Sequence, residues 1–502
     1  MTAPRIGVIA AAGKGRRIHP RSARVPKVML EVAGKPLLVR NIELLRDALG
    51  IREVVLVIGH LGNVIREQLG DGGALGVALR YVENPRVDDG LGTVLTALEP
   101  HVHEPFVLVL GDELYLGSNH ATLGAVATPW IAVCAVHGTD DPEIIRKNYA
   151  VEVADGRITA LVEKPSSPQG ALVGCGTFLF DPQIFAAARA TPPSPRTGKF
   201  ELIDVIDRVA RDGRPVRAFE LTGHYLNVNS LDDLNAANFL ARSLEFERRR
   251  VSVVIPTYQE AASIGTVIRD FQDHADEILV MDNRSPDGTA EIARSLGAVV
   301  YSRALAGYGD ACRQGLDAAT GDILVLVEAD GTFRAHDLGK LLEYLKDADM
   351  VVGTRTTRQM IQQGANMDGL LRWGNVVVGK FVEALWWGLE PRLTDVGCTY
   401  RALWRDFYLK IRPYLGEDGP AFSPEMMIEV LRMEGRLIEV PVNYYRRRAG
   451  ESKHSASRRS SGRGPRRTGR FSTSPRSSAS PTPTSATTAA SATSRARSGH
   501  RA

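Results

Sequence analysis

A basic, glycine-containing loop near the start of the chain has residue types suited to binding phosphate. It reads AAGKGRR from Ala11 to Arg17, after an apolar run, and Pro26-Lys27 follows. Glycine lets the backbone approach a phosphate closely, and the basic side chains of Lys14, Arg16 and Lys27 would neutralise a triphosphate. On its own, such a loop is as typical of an ordinary strand–turn–helix with solvated basic residues.

One aspartate in the first half and a pair of carboxylates in the second stand at the ends of apolar runs. The segment PFVLVLGDELYL places Asp112 directly after a strand, and ILVLVEADGTF places Glu328 and Asp330 after another. Strand ends of this kind meet at the edge where α/β sheets bind ligands, and carboxylates there can hold Mg²⁺ against phosphates. Because side chains two residues apart face the same side of a strand, Glu328 and Asp330 could share one ion. Alone, Asp112 is as typical of a turn or a helix cap.

Short β-branched runs that alternate with helical patterns must position these residues. The predicted strands are 5–12, 53–58, 106–110 and 131–136 in the first half, and 251–256, 277–281, 298–301, 323–327 and 349–352 in the second. Helical patterns lie between them, as at 36–49 and 262–274. The alternation predicts two α/β domains in tandem with mostly parallel sheets, at residues 1–245 and 251–451. Residues 452–502 are rich in Ser, Thr, Pro and Arg, and we expect them to be disordered.

The motifs of the first half together resemble the sugar-phosphate nucleotidylyltransferases. They are the glycine loop with Pro26-Lys27, Gly111-Asp112, Glu163-Lys164-Pro165, Gly174-Cys175-Gly176 and Asn227-Val228-Asn229. The resemblance covers about residues 5–240. It implies that an NTP and a sugar 1-phosphate, or a polyol phosphate, give an NDP derivative and pyrophosphate.

The resemblance also implies a role for each matching residue. Ala11, Ala12, Gly13, Lys14 and Gly15 would bind the nucleotide, with Arg16 and Lys27 on its phosphates and Asn84, Gly92 and Thr93 near the base. Asp112 would hold Mg²⁺, while Glu163, Lys164 and Gly176 would contact the sugar phosphate. A second metal position falls on Asn227 or on Asn229, and both assignments stay open. No Ser-His-Asp or Cys-His arrangement suited to acyl transfer is evident in this half.

The second half resembles family 2 glycosyltransferases, and among them the polyprenyl-phosphate sugar transferases, from about Val251 to Lys453. The motifs are PTYQE, DNRSPDGT, GYGDA, EADGT, VGTR, TDVGCTYRALWR and SPEM. Together the two resemblances imply two Rossmann-like nucleotide-diphospho-sugar domains, of the type called GT-A.

By this resemblance, the nucleoside would lie against Pro256, Tyr258, Glu260 and Asp282. Glu328, which replaces the usual first aspartate, and Asp330 would bind Mg²⁺ or Mn²⁺ with the diphosphate. Asp395 would lie near the acceptor, as a base or as an orienting group. Three arginines are candidates for a donor or acceptor phosphate: Arg355, Arg401 and Arg405.

Residues 369–389 place Trp373, Trp386 and Trp387 among aliphatic residues. They favour either an amphipathic helix pair at a membrane surface, which would suit a lipid phosphate acceptor, or a helix that packs in a core or a dimer. Arg372, Lys380 and Glu383 argue against a membrane span.

Charge and cysteine content narrow the remaining possibilities. Residues 452–502 hold 11 of the 62 Lys and Arg and no Asp or Glu, so removing them from the net charge of +4 leaves −7 for residues 1–451. An acidic body gives no support to a nucleic-acid groove. The four separated cysteines suggest no disulfide framework, and we expect a cytosolic protein, either free or peripheral on the membrane, with oligomerisation open.

The sequence therefore predicts a fused enzyme that activates a sugar and then transfers it to a polyprenyl phosphate or another acceptor. The alternatives are that one domain is a scaffold, or that the chain is a non-catalytic nucleotide-sugar sensor. We also expect the two halves to fold and act separately, because each has its own α/β pattern and carboxylate.

Overall fold

The computed structural model describes residues 4–18, 25–167, 172–363, 365, 369–389 and 391–447. The segment 452–502, expected to be disordered, lies outside the described residues. Two large sheets, one in each half, belong to a single compact unit.

The first half contains thirteen described strands and seven described helices. The strands are β1 Ile6–Ala10, β2 Glu31–Val32, β3 Lys35–Pro36, β4 Glu53–Ile58, β5 Ala78–Glu83, β6 Phe106–Leu110, β7 Glu113–Leu116, β8 Ala132–Gly138, β9 Tyr149–Ala154, β10 Arg157–Glu163, β11 Leu172–Phe180, β12 Val216–Glu220 and β13 His224–Asn227. The helices are α1 Leu37–Leu49, α2 Gly62–Leu69, α3 Thr93–Leu98, α4 Pro142–Lys147, α5 Gln183–Ala190, α6 Leu202–Arg211 and α7 Leu231–Glu245.

Nine of these strands form one sheet in the order β5-β4-β1-β6-β11-β8-β12-β10-β9. Strands β5, β4, β1 and β6 are parallel, and β11 is antiparallel to both of its main neighbours, β6 and β8. The predicted parallel arrangement is confirmed for β4, β1 and β6, while the sheet as a whole is mixed, because β9, β10 and β11 add antiparallel pairs. The parallel part is a continuous apolar layer covered on both faces, as its β-branched sequence requires.

The second half contains seven described strands and seven described helices. The strands are β14 Val251–Thr257, β15 Glu277–Asp282, β16 Val299–Ser302, β17 Ile323–Leu326, β18 Met350–Thr354, β19 Arg401–Trp404 and β20 Leu437–Pro441. The helices are α8 Ile264–Phe271, α9 Thr289–Ser295, α10 Tyr308–Ala318, α11 Leu338–Leu345, α12 Gly369–Leu385, α13 Arg405–Ile411 and α14 Phe422–Arg432.

The second sheet has the order β16-β15-β14-β17-β19-β18-β20, in which β19 alone runs antiparallel to the others. The prediction of a mostly parallel sheet is confirmed here. The carboxyl ends of β14, β15, β17 and β18 therefore meet at one edge of the sheet.

The halves contact each other through α7 and the β2–β3 hairpin. Arg242, near the end of α7, donates to Asp349 Oδ1 at 2.5 Å and to the carbonyl of Ala348 at 2.9 Å. Its guanidinium lies 5.2 Å from the ring centroid of Trp404, and Lys410 of α13 pairs with Glu31 of β2. These contacts bury an arginine between the halves.

Candidate functional site

The basic loop, the aspartate after β6 and the polar segment after β13 lie around one cavity of about 370 Å³. The parallel strands β1 and β6 bring the first two together, because both end at the same edge of the sheet. The loop can turn there because Gly15 has a φ of 59°. The lining residues are Gly13, Lys14, Gly15, Arg17, Lys27, Val87, Asp88, Asp112, Lys199 and Asn229.

A lysine holds the two candidate metal ligands of this cavity together. Lys27 Nζ lies 2.5 Å from Asp112 Oδ2 and 2.9 Å from Asn229 Oδ1. Asn227 is connected to Lys27 and Asp112 through Asn229. It accepts a hydrogen bond from Asn229 and donates one to Asn148. Of the two asparagines left open by the sequence, Asn229 is thus the one that shares a direct partner with Asp112.

The start of α7 fixes Asn229. The Ser230 side chain accepts from the backbone N–H of Asp233, and the Asp233 carboxylate accepts from the N–H groups of Asn229 and Ser230. This capping box ties the loop to the first turn of a fifteen-residue helix.

Asp112 and Asn229 offer carboxylate and amide oxygens, the ligand types that Mg²⁺ prefers, although Lys27 binds both side chains in this structure. Mg²⁺ is commonly held by one or two carboxylates together with substrate phosphates, and not by a cage made only of protein ligands. The described residues contain no group of three or more His, Cys, Asp or Glu side chains arranged to hold a metal.

A second cavity of about 380 Å³ adjoins the first and is lined by Asn84, one of the three residues expected near the base. It is lined by Lys14, residues 58–63, Glu83, Asn84, Pro85, Val87 and Asp88. Lys14 pairs with Asp88 between the two cavities. The Asn84 side chain is buried, donates to Thr93 Oγ1 at 2.9 Å and accepts from the N–H of Arg86 at 3.1 Å. Asn84 therefore shapes the cavity wall by holding its loop.

Gly92 packs closely against Phe200, on the loop that also carries Lys199. A Cβ on Gly92 would lie 2.8 Å from the Phe200 ring and 2.9 Å from its carbonyl oxygen. The N–H of Gly92 donates to the same carbonyl at 2.8 Å. This contact brings the Lys199 loop to the cavity.

Glu163 and Lys164 form an ion pair of 3.0 Å at the end of β10. Burial raises the pKa of Glu163, and the neighbouring charge of Lys164 opposes that rise. The N–H of Lys164 donates to the carbonyl of Asn148, whose side chain accepts from Asn227. The Glu163 segment and the Asp112 region are thus joined through Asn148.

Glu113, beside Asp112, is a buried carboxyl group that the sequence analysis did not identify. It accepts hydrogen bonds from the Gly176 N–H at 2.6 Å, from Tyr225 Oη at 2.9 Å and from Tyr115 Oη. Burial raises the pKa of Glu113 to about 8. Gly176 is required here, since a Cβ would lie 2.6 Å from the Glu113 carboxyl carbon.

The remaining residues of the basic loop and of the first cavity complete the comparison with the predicted site of this half. Ala11 and Ala12 are buried at the start of the loop, and the side chain of Arg16 lies outside the description. Arg17, Asp88 and Lys199 line the first cavity but were not predicted. Arg17 belongs to the basic loop 11–17 and could have been predicted from it. Lys199 follows a proline-rich stretch, and no motif in the sequence indicates that it reaches the cavity.

In the second half, Asp282 is a fully buried residue that holds the loop after β15. It accepts from Ser302 Oγ at 2.6 Å and from the Ser285 N–H. Ser285 Oγ in turn accepts from the N–H of Gln259 at 2.8 Å. This places the loop of Pro256, exposed Tyr258 and Glu260 beside Asp282.

Glu328 and Asp330 follow β17 at the same edge of the sheet. Burial, followed by the neighbouring negative charge of Asp330, raises the pKa of Glu328 to about 7, while Arg355 and Arg447 oppose the rise. Asp330 accepts from the Thr332 hydroxyl at 2.7 Å through Oδ1 and from Arg447 Nε at 3.0 Å through Oδ2. Two neighbouring carboxylates are hard oxygen ligands that suit Mg²⁺ or Mn²⁺.

Asp395 is fully buried and receives donors on both of its oxygens. Arg355 binds it with Nε at 2.8 Å, Nη2 at 2.9 Å and its backbone N–H at 3.0 Å. Asn375 of α12 donates to Asp395 Oδ1 at 3.0 Å. Behind this pair, Glu439 accepts from the N–H of Asp395 at 2.6 Å, and burial raises the pKa of Glu439 to about 7. A carboxylate with this many donors is suited to orienting its neighbours.

The other two candidate arginines do not join this cluster. Arg401 is fully buried and donates to the carbonyls of Ser423 and Cys398. Arg405 begins α13 beyond the end of antiparallel β19, and donates to the carbonyl of Ala319 at 3.3 Å. Arg405 is therefore at the opposite edge of the sheet, and the expectation that it binds a phosphate at this site does not fit the structure.

Helix α12 turns an apolar face towards solvent. Exposed fractions are 66% for Trp373, 63% for Phe381 and 75% for Trp387 just beyond the helix, and Val377 and Leu385 are also exposed. Trp386 instead packs against the core. None of the helices that the structure describes is long and apolar enough to cross a bilayer.

Comparisons with known families match the two halves separately. A family model described as nucleotidyl transferase matches residues 6–243, and one described as glycosyl transferase family 2 matches residues 252–379.

Individual relatives follow the same division. A UTP–glucose-1-phosphate uridylyltransferase of Haloferax volcanii is 34% identical over 235 residues, 46% of this chain and 93% of the relative. A glycosyltransferase of the same organism is 34% identical over 203 residues, 40% of this chain and 64% of the relative. An undecaprenyl-phosphate mannosyltransferase of Micrococcus luteus is 31% identical over 221 residues, 41% of this chain and 88% of the relative.

Proposed function

The chain belongs to the nucleotidyl transferases through its first half and to glycosyl transferase family 2 through its second, and from this premise we propose the reactions that it joins. The first half, residues 1–245, converts an NTP and a sugar 1-phosphate into an NDP-sugar and pyrophosphate. The second half, residues 251–451, transfers the glycosyl group from an NDP-sugar to a polyprenyl phosphate. The observation that carries the proposal is the presence of two separate acidic sites at strand ends, Asp112 beside Lys27 in the first half and Asp330 beside Glu328 in the second.

In the first reaction, a phosphate oxygen of the sugar phosphate attacks the α-phosphorus of the NTP and the bond to pyrophosphate breaks. This chemistry needs alignment and positive charge more than a covalent residue. Lys14 and Lys27 supply that charge from the loop and the cavity floor. Asp112 and Asn229 would hold a Mg²⁺ ion, which supplies charge neutralisation at the phosphates when bound. Glu163 and Lys164 would fix the sugar phosphate.

In the second reaction, an acceptor oxygen attacks the anomeric carbon and the NDP departs. A phosphate acceptor is already ionised, so no side chain has to remove a proton from it. This agrees with Asp395, whose oxygens are engaged by Arg355 and Asn375. Glu328 and Asp330 would hold Mg²⁺ or Mn²⁺, which neutralises the departing diphosphate when bound.

The acceptor class is supported by the exposed face of α12. Burying one large apolar side chain contributes about 1.5–3 kcal/mol, so Trp373, Phe381 and Trp387 together could hold the helix against a bilayer. The opposite face of the same helix carries Asn375, which binds Asp395. Helix α12 would therefore link a bilayer on its exposed face to the Arg355–Asp395 pair on its other face.

The first activity is tested by a pyrophosphate-release screen of the full chain with all NTPs and a set of sugar 1-phosphates. We expect release with one matching pair. Asp112→Ala should abolish it, and Asp330→Ala should leave it intact. Loss of pyrophosphate release in both variants would contradict two separate sites.

The second activity is tested by transfer from labelled NDP-sugars to polyprenyl phosphate in liposomes. Asp330→Ala should abolish transfer, and the double variant Trp373→Glu, Phe381→Glu should reduce both transfer and liposome binding. Tyr344→Glu, at a half-exposed position of α11, is the matched control. Equal transfer to a water-soluble hydroxyl acceptor, with no effect of the double variant, would contradict the lipid acceptor.

A further inference from the structure

An arginine from the segment after β20 lies among the carboxylates of the second site. Arg447 Nε donates to Asp330 Oδ2 at 3.0 Å, and Arg447 Nη2 approaches Glu260 Oε1 at 3.4 Å. Its positive charge also acts on Glu328. One guanidinium thus faces three acidic side chains that come from the ends of β14 and β17.

Backbone hydrogen bonds hold the segment that carries this arginine. The N–H of Asn443 donates to Asp337 Oδ2 at 2.8 Å, and its side chain donates to the same carboxylate. The N–H of Tyr445 donates to the carbonyl of Thr332 at 2.9 Å, close in sequence to Asp330. Residues 442–447 therefore approach the site along a defined path.

Asp330 cannot bind this arginine and a metal ion through the same lone pairs. Its Oδ1 accepts both the N–H and the hydroxyl of Thr332, so Oδ2 is the oxygen turned towards the site. Arg447 binds that oxygen in the structure. A divalent ion ligated by Oδ2 would have to compete with the guanidinium.

We propose that Arg447 is an exchangeable cation of the donor site. In the donor-free enzyme it neutralises Asp330 and Glu260. When the NDP-sugar enters with its divalent ion, the guanidinium leaves Asp330 Oδ2 and binds an oxygen of the diphosphate. This inference rests on the proposed function of the second half. It adds Arg447 to the donor site and predicts that the metal and the donor bind together, because a metal ion alone has to displace the cation that already binds Asp330.

The chemistry of arginine suits both partners. A guanidinium forms charge-assisted hydrogen bonds to carboxylate and to phosphate with the same planar set of N–H groups. The exchange therefore keeps a partner for the cation in both states. The entering diphosphate supplies the negative charge to which Arg447 binds after it leaves Asp330.

The experiment measures binding of Mn²⁺ alone by electron paramagnetic resonance, in the full chain carrying Asp112→Ala to remove the first site. A unit charge within a few ångströms changes an ionic equilibrium by about one to three powers of ten. We expect Arg447→Ala to tighten Mn²⁺ binding about tenfold or more. The same variant should weaken the tightest of UDP, GDP, ADP and CDP about tenfold when Mn²⁺ is present.

Two control variants separate charge from structure. Arg447→Lys keeps the cation and should bind Mn²⁺ alone as weakly as the parent does. Arg446→Ala, at the exposed neighbouring position, should change neither binding constant. Retention of the parent's thermal unfolding midpoint shows that a variant is folded.

The possible failures are distinguishable. If Asp330→Asn leaves Mn²⁺ binding unchanged, the proposed metal site is wrong and the inference falls with it. If Asp330→Asn abolishes Mn²⁺ binding but Arg447→Ala does not tighten it, the exchange alone is wrong. Nucleoside diphosphate binding that does not weaken in Arg447→Ala would also overturn the exchange.

Discussion

Asn229→Asp is the change that tests the metal position of the first site most directly. Asn229 Oδ1 lies 2.9 Å from Lys27 Nζ, which lies 2.5 Å from Asp112 Oδ2. The substitution replaces an amide oxygen by a carboxylate of nearly the same shape at the same place. Asn227→Asp is the matched control, because it adds the same charge one hydrogen bond further from Asp112.

The size of the effect follows from the charges in the cluster. Asp112 and Lys27 sum to zero, so the unliganded cluster attracts a divalent ion weakly, and a second carboxylate makes it negative by one charge. A nearby charge shifts such equilibria by about one to three powers of ten. Lys27 will pair with part of the new charge, so we expect the low end. The Mg²⁺ concentration that half-activates Asn229→Asp should fall about tenfold, which corresponds to about 1.4 kcal/mol.

For Asn227→Asp we expect a smaller shift in the half-activating Mg²⁺ concentration, together with a loss of stability. An aspartate there no longer donates to Asn148 Oδ1, where the asparagine makes a 2.9 Å hydrogen bond. Loss of that bond should lower the unfolding free energy by about 1 kcal/mol. The charge itself is separated from Asp112 by the Asn229 side chain.

The assay is a Mg²⁺ titration of pyrophosphate release by the full chain, with saturating amounts of the NTP and sugar phosphate found in the screen. Three curves are compared: those of the parent, Asn229→Asp and Asn227→Asp. An unchanged midpoint in Asn229→Asp, or a larger shift in Asn227→Asp, would refute the assignment of Asn229 as the partner of Asp112.

Three further predictions concern buried charged groups. Burial raises the pKa of Glu113 from 4.5 to about 8, so its contribution to stability is complete below pH 4.5 and is lost as the pH rises through 8. Glu113→Gln removes this titration. Urea unfolding should therefore show a smaller fall in unfolding free energy between pH 5 and pH 9 for the variant than for the parent. Arg355→Ala leaves Asp395 buried without its main partner, and should cost about 3–5 kcal/mol in the same measurement; a loss below 1 kcal/mol would contradict the pairing. Arg242→Ala should cost about 1.5–3 kcal/mol through its lost hydrogen bonds to Asp349 and to the carbonyl of Ala348, and unchanged urea midpoints would show that the contact between the halves is not stabilising.

The sequence predicted most strands of the parallel layers almost residue by residue, but it missed β5 and β20. The predictions 53–58 and 106–110 coincide with β4 and β6. Such strands are buried on both faces, so their apolar runs have clear ends. The antiparallel pairing of β11 could not be predicted, because it depends on contacts with β6 and β8 that lie far apart in sequence.

Some of the predicted site residues could be placed from the sequence and others could not, depending on which structural feature determines their position. Residues at strand ends, such as Asp112 and Asp330, follow directly from the strand assignment. Arg401 and Arg405 stand four residues apart, yet one is buried among carbonyls and the other lies at the far edge of the sheet. Their difference depends on the direction of β19, which the sequence does not reveal. Glu113 was missed because its partners come from β7, β11 and β13.

The contacts between the halves bear on the expectation that each half acts separately. The two acidic sites, Asp112 with Lys27 and Asp330 with Glu328, share no residue, so the two proposed chemical steps have no group in common. The supporting elements are shared, however: α7 begins at the capping box that fixes Asn229 and carries Arg242 near its other end, where that arginine is buried against the second half. The β2–β3 hairpin, which follows Lys27, contacts α13 through Glu31 and Lys410. A cut between the halves would expose the buried guanidinium of Arg242 on α7, the helix that fixes Asn229. The chemistry is therefore separable in principle, while we expect the stability of the first site to depend on the contacts with the second half.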